Sequence, residues 1–313
     1  MSDPAAHRHD PAAESAYPPV RQASSGPILV ATDGSAAGEA AFRAAVLVAA
    51  KLSVSVRVIV VVEPLPVLVP EPSLIMQPLV ASPEMLNVVR DRVISQLDGL
   101  ATEGLNWRVE IEYGRPSEKI ANKARACDAQ LIVIGLVHHG VVDRILDGDT
   151  ALEVVRQSRA PVLLASADWK AQPKRAVLAV DFSPQSIEAA RAGLRLLGDG
   201  STVFLAHVRP MVTVFDGMGM CKEEYETAAA KELQKFALAL PAPAGVRVEQ
   251  VILSGNPAAA MLGLAEEENA ELIVCGTRGA GLVQRLLLGS VATRLMRHST
   301  RSLLIVPDSA DSA

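Results

Sequence analysis

The sequence predicts two tandem doubly wound α/β domains, each a five-stranded parallel sheet flanked by about four helices. Three observations lead there: the chain repeats itself, short apolar runs alternate with helical segments, and the composition suits sheets buried on both faces. Of the 313 residues 50% are apolar and only 3% aromatic, with alanine, valine and leucine prominent. Parallel strands covered by helices on both sides read this way.

The repeat is direct. YGRPSEKIANKARACDAQLIVIG, from Tyr113, aligns with SGNPAAAMLGLAEEENAELIVCG, from Ser254. Gly114 matches Gly255, Pro116 matches Pro257, Gly135 matches Gly276 and Gly148 matches Gly289, all 141 residues apart. A fixed offset of this length marks a duplicated unit. Upstream, ILVATDGS around Asp33 corresponds to AVLAVDFS around Asp181 at an offset of 148. The extra seven residues fall mostly in the Pro-rich stretch at 63–84, which proline holds in loop or extended conformations and which carries Leu68, Leu74, Ile75 and Leu79 as a candidate partner contact.

Taken in order, residues 1–26 form a Pro-, Ala- and Ser-rich tail without the apolar stretch of a signal peptide. The first domain covers 27–169, beginning with the strand ILVA; AAVLVAAKLSVSVRVIVVV then reads as a helix end followed by a strand. SADWKAQPKR links the strand PVLLA to the second domain, 170–308. There RAVLAVD is a strand, SPQSIEAARAGLRLL a helix with Ser183 as N-cap, and TVFLAHV a strand. A helix from about Lys222 to Ala239, the strand RVEQVIL and the helix PAAAMLGLAEEEN follow, the last with proline in its first turn. The strand ELIVCG, the helix QRLLLGSVATRLMRHS and the strand SLLIVP complete the unit. Alternation of this kind implies right-handed crossovers and a parallel sheet, in order 2-1-3-4-5 or 3-2-1-4-5.

Several function classes are disfavoured. The net charge of −5 with dispersed Arg and Lys offers no basic stripe for nucleic acid. No run of about 18 apolar residues is uninterrupted by charge, so no membrane span is expected. Cys127, Cys221 and Cys275 are odd in number and widely separated, which fits a reducing cytosol and a cytoplasmic protein. His7 and His9 in the tail are read as incidental.

Ligands of open parallel sheets sit outside the carboxyl ends of the strands, where strand order reverses. Two features of the second half fall there. Asp181 closes the first strand, and Gly276 closes the fourth and opens GTRGAGLVQRLLLGS. A carboxylate accepts hydrogen bonds from ribose hydroxyls, while backbone N–H groups at a helix start bind phosphate. The stretch lacks the lysine of a P-loop, and it follows the fourth strand where a dinucleotide fingerprint follows the first. What remains is G-x2-G-x9-G-S: Gly276, Gly279, Gly289 and Ser290.

With these motifs the chain resembles the universal stress protein family in its tandem form, over residues 27–308. The resemblance implies five parallel strands per domain, with order 3-2-1-4-5, self-association as a homodimer through edge strands and, in the subset carrying this loop, ATP binding with or without Mg2+. It implies that Asp181, beside Ala179 and Val180, contacts the ribose, that the backbone near Val208 contacts the adenine, and that Gly276, Gly279, Gly289, Ser290 and Val291 contact the phosphates. Arg278 is a candidate for added phosphate charge, and His207, beside the adenine position, for a packing or capping role.

The first half departs from this pattern. Its loop, GLVHHGVVDRILDGD, has His138 in place of Gly279 and Asp149 in place of Ser290, with Asp147 beside Gly148. Acids at a helix start suit the helix dipole but repel phosphate. Asp33 and Gly135 are therefore weaker candidates, and the second half is expected to hold the nucleotide. There Phe182 follows the acid where the first half has Gly34, which narrows the ribose side. No nucleophile, base or zinc spacing converges on the loop, so a nucleotide-binding stress or signalling protein is expected rather than an efficient enzyme. The alternatives are an oligomeric scaffold that binds no nucleotide and a slow ATPase or nucleotide-activating enzyme.

Overall fold

A computed structural model describes residues 25–63, 83–100, 104–136, 147–209, 222–277 and 288–308. The first half contributes β1 (Ile28–Ala31), α1 (Ala36–Leu52), β2 (Val56–Val62), α2 (Pro83–Asp98), β3 (Trp107–Tyr113), α3 (Pro116–Ala126), β4 (Leu131–Gly135), α4 (Asp147–Gln157) and β5 (Val162–Ala165). The second repeats the series with β6 (Arg175–Ala179), α5 (Pro184–Leu194), β7 (Thr202–Arg209), α6 (Lys222–Leu238), β8 (Arg247–Ser254), α7 (Pro257–Glu267), β9 (Leu272–Gly276), α8 (Ser290–His298) and β10 (Ser302–Val306).

The strands form one ten-stranded sheet, β3-β2-β1-β4-β5-β10-β9-β6-β7-β8. Each half has the order 3-2-1-4-5 internally, all parallel, and the halves meet where β5 pairs antiparallel with β10. Alternation along each buried strand explains the unbroken apolar runs. Ile28 and Val30 join the core on one face, while Leu29 and Ala31 join the core on the other. Both cores run through both halves.

Local chemistry sets the helix starts. The Ser35 hydroxyl accepts from Gly38 N at 3.2 Å, Ser183 from Ser186 N at 3.1 Å, and the Asn256 side chain from Ala259 N at 3.2 Å. Gly114 and Gly255, paired by the repeat, have φ of 138° and 107°, a region where a side chain is strained. Each turns the chain into a helix opened by Pro116 or Pro257.

One helix differs from expectation. Gly289 is extended and α8 begins at Ser290, so the predicted helix from Gln284 does not run through Gly289. The Pro-rich stretch at 64–82 lies outside the described residues, as do Arg278, Gly279 and His138.

Pairing of β5 with β10 occupies within the chain the edges at which the halves meet, and leaves β3 and β8 as the outer strands. Arg195 donates to Gln130 Oε1 across the halves at 2.9 Å, and Lys51 donates to the Leu197 carbonyl. Buried Ser166 and Ser302 join the central strands: the Ser302 hydroxyl accepts from Ser166 N, and the two hydroxyls are bonded, each at 3.0 Å. No described helix is long and apolar enough to cross a membrane.

Candidate functional site

In the second half β6 and β9 are adjacent and parallel, so their carboxyl ends form the two lips of one crevice. Asp181 lies two residues beyond β6. Its Oδ1 accepts from Ser183 N at 3.0 Å and from the Ser183 hydroxyl at 2.5 Å, which fixes the carboxylate at the start of α5. Across the crevice, Thr277 N donates to Val306 O at 3.0 Å and Gly289 N donates to Thr277 O at 2.7 Å. This second bond brings the two ends of the glycine-rich stretch together. It also commits the Gly289 N–H to the protein, so Gly289 would serve a ligand through the shape it gives the helix start. Gly289 has no side chain to cap α8, and among the described residues no side chain caps the first-turn N–H groups, those of Ser290 and Val291 included.

Ala179 ends β6, and Val180 beyond it is buried, with its N–H bonded to Ala206 O at 2.9 Å. Val208 is buried within β7, next to Leu253 of β8. His207 is the residue beside it that matters most to the mouth. Because the Val180 carbonyl can only accept, His207 Nδ1 carries the proton and donates to it at 2.8 Å, and Nε2 accepts from the Tyr225 hydroxyl at 2.7 Å. The imidazole is pushed below its usual pKa, chiefly by burial; the bond to Val180 and the charge of Asp181 oppose the shift. Burial also raises the Tyr225 phenol, against the field of Arg209. Phe182, at φ 63°, lays its ring on His207 with centroids 4.4 Å apart. The two rings lie on the β6 side of the crevice.

Gln185 occupies the β9 side of the crevice. Gln185 donates to Thr277 Oγ1 at 2.8 Å and to Val306 O at 3.0 Å, over Gly276. A Cβ on Gly276 would meet the Gln185 side chain at 3.0 Å. This makes Gly276 a packing glycine toward α5.

The first half is more open at the same place. Asp33 Oδ1 accepts from Ser35 N at 2.9 Å, and Gly34, at φ 80°, stands where the second half has Phe182. Ala37 replaces Gln185 by the same offset, and a Cβ on Gly135 would lie 2.2 Å from the Ala37 carbonyl oxygen. With these small residues a cavity of about 900 Å³ opens between Asp33 and Gly135. Val61, also in its wall, corresponds through the strand registers to Val208. Sequence reading did not select Val61, although its place on the repeat was a usable signal. It also missed Arg297 and His298, which reach this cavity from the other half.

The architecture agrees with comparison to known proteins. The profile of the universal stress protein family matches residues 25–166 and 173–307. The chain belongs to the universal stress protein family. A universal stress protein of Mycolicibacterium smegmatis is 25% identical over 216 residues, covering 66% of this chain and 70% of that one. A universal stress protein of Thermus aquaticus is 30% identical over 134 residues, 42% of this chain and 98% of its own, so a whole relative corresponds to less than half of the tandem. Among solved structures, a universal stress protein from Archaeoglobus fulgidus superposes with a TM-score of 0.63 at 21% identity, covering 90% of this chain and 98% of that one. That likeness concerns the fold.

Proposed function

We propose that this universal stress protein is an ATP-binding regulatory protein of the stress response, and that its second domain holds the nucleotide. The observation that carries this reading is the opposition of Asp181 and the uncapped start of α8 across the ends of adjacent strands. Such a pair suits a ligand with hydroxyls at one end and anions at the other. Helix N–H groups at Ser290 and Val291 would take phosphate oxygens, Asp181 would take ribose hydroxyls, and the adenine would lie toward Val208. Arg278 and Gly279 belong to the same loop by sequence. Among the described residues no cluster of His, Cys, Asp and Glu is arranged to hold a metal, so any Mg2+ would come with the phosphates. Catalysis is at most weak, since holding a nucleotide does not by itself stabilise a transition state. Edge-strand self-association, as a homodimer, is confined to β3 and β8.

Isothermal titration of the full chain with ATP tests the proposal. Binding is expected, with affinity reduced about tenfold or more in Asp181→Asn, the scale of a lost hydrogen bond to a charged group. No heat at millimolar ATP would sink it. The second reading, a scaffold without nucleotide, is favoured by the Phe182 and His207 stack that narrows the mouth. It predicts ATP titrations that are flat for the wild type and for Phe182→Gly alike.

A further inference from the structure

Strands β3 and β8 end the sheet, and their sequences differ in what they offer to another strand. The Asn106 carbonyl accepts from Val56 N and Gly114 N donates to the Val62 carbonyl, so the even-numbered residues of β3 turn their backbone groups toward β2. Successive residues alternate, and the N–H and C=O groups of Trp107, Val109, Ile111 and Tyr113 therefore point away from the sheet. Among the described residues β2 is the one strand that pairs with β3. The side chains alternate too. Trp107, Val109 and Ile111 pack toward one core, while Glu110 and Glu112 pair with Lys123 and Lys119 of α3 on the other face.

The strand WRVEIEY is complementary to itself when a second copy runs antiparallel to it about Glu110. Trp107 then faces Tyr113 and Val109 faces Ile111, all at residues whose backbone groups point outward and can close the ladder. Arg108 faces Glu112 at positions without backbone bonds, where opposed side chains come closest. Arg108 is exposed and, among the described residues, forms no ion pair. The second copy supplies its partner, once on each side of the axis. Glu110 meets its own copy on the axis, a repulsion that Arg57, at 3.5 Å, and Lys123 offset by pairing with each carboxylate. Strand β8 has no such match. Its two fullest antiparallel registers with the same side-chain facing set Glu249 opposite Val251 or Leu253, a carboxylate against an aliphatic chain.

We propose that β3 is an interaction surface for a second copy of this chain, which pairs with it antiparallel about Glu110 and joins two ten-stranded sheets into one. The surface is distinct from the edge of β5, which β10 covers within the chain. A β3 to β3 contact closes on a two-fold axis, whereas β3 against β8 would leave an open edge at each end and continue to grow. The proposal rests on the homodimer reading above, takes it to one strand and one register, and is independent of nucleotide binding. A dimer built on β8 would overturn it and leave that reading standing.

Sedimentation equilibrium of the full chain is expected to give twice the protomer mass. Arg108→Glu should weaken the dimer about tenfold or more, because it turns two attractive cross-strand pairs repulsive. The swap Arg108→Glu/Glu112→Arg should recover the dimer to within about threefold of the wild type, a rescue that neither misfolding nor another register would produce. Glu110→Cys should form an intermolecular disulfide with its own copy under mild oxidation, while Arg108→Cys, which faces Glu112, should not. Glu249→Arg on β8 should leave the dimer intact. The proposal is overturned if the wild type is monomeric at its highest soluble concentration, if Arg108→Glu dimerises as the wild type does, or if the charge swap fails to recover the dimer. Loss of the dimer in Glu249→Arg would also overturn it, since β8 would then be the edge in use.

Discussion

Phe182 carries the main conflict at the second-domain mouth. A bulky residue in the left-handed region costs about 1–2 kcal/mol, and an aromatic contact like that with His207 returns about 0.5–1.5 kcal/mol. Phe182→Gly should therefore change stability by no more than about 1 kcal/mol in urea titration, while ATP affinity rises severalfold as the crevice opens. His207 gives a pH signature. Its folded pKa lies below the usual value of about 6.5, so the unfolded chain takes up the proton first and stability falls as pH drops below that value. His207→Gln should flatten this part of the stability profile below about pH 6.5. A slope unchanged by the substitution would show that other groups set it. Asp181 and its Ser183 partner were legible as sequence, because an acid, a small gap and an N-cap serine occur together; the partners of His207 were not, since Tyr225 lies 18 residues away on α6.

At the scale of elements, the glycines that look alike in the repeat do different work. Gly135 and Gly276 both end a fourth strand, yet an added Cβ meets backbone at Gly135 and a side chain at Gly276. Backbone cannot step aside as a glutamine can. Gly135→Ala is expected to cost about 3 kcal/mol, and Gly276→Ala about 1 kcal/mol or less, by chemical denaturation. Comparable losses at the two positions would mean that α1 shifts as easily as Gln185 does. The repeat alone made the two positions equivalent. Their difference comes from Ala37 and Gln185, which face them from the first helix of each half. The start of α8 was legible in part: the Gly-Ser pair at 289–290 marked a helix opening, while the apolar stretch before it suggested that the helix began earlier.

At the scale of the molecule, the central antiparallel seam makes the tandem one body. Both cores cross it, and its buried serine pair leaves no polar group of either hydroxyl stranded. Replacing Ser302 by valine would remove both bonds and leave Ser166 N–H and its hydroxyl short of a partner, at about 1–3 kcal/mol. Thermal unfolding of the wild type is expected to be a single transition, since neither half can open without exposing core shared with the other. Two resolved transitions in calorimetry would contradict this.

The sequence by itself determined the duplicated α/β unit, the helix start at Ser183, the proline-opened helix at Pro257, and the two lips of the second-domain crevice. These follow from periodicity and capping, which act over short stretches of chain, and from the 141-residue repeat, which direct alignment exposes. Only the tertiary structure decided that β5 would lie against β10, and that the end of α8 would reach the cavity of the other half. It also decided that Gln185 and Phe182 would narrow one crevice while Ala37 and Gly34 left its counterpart open. Those outcomes depend on which side chains meet across a strand pair or a domain seam, and residues tens to more than a hundred positions apart carry no local signal of one another.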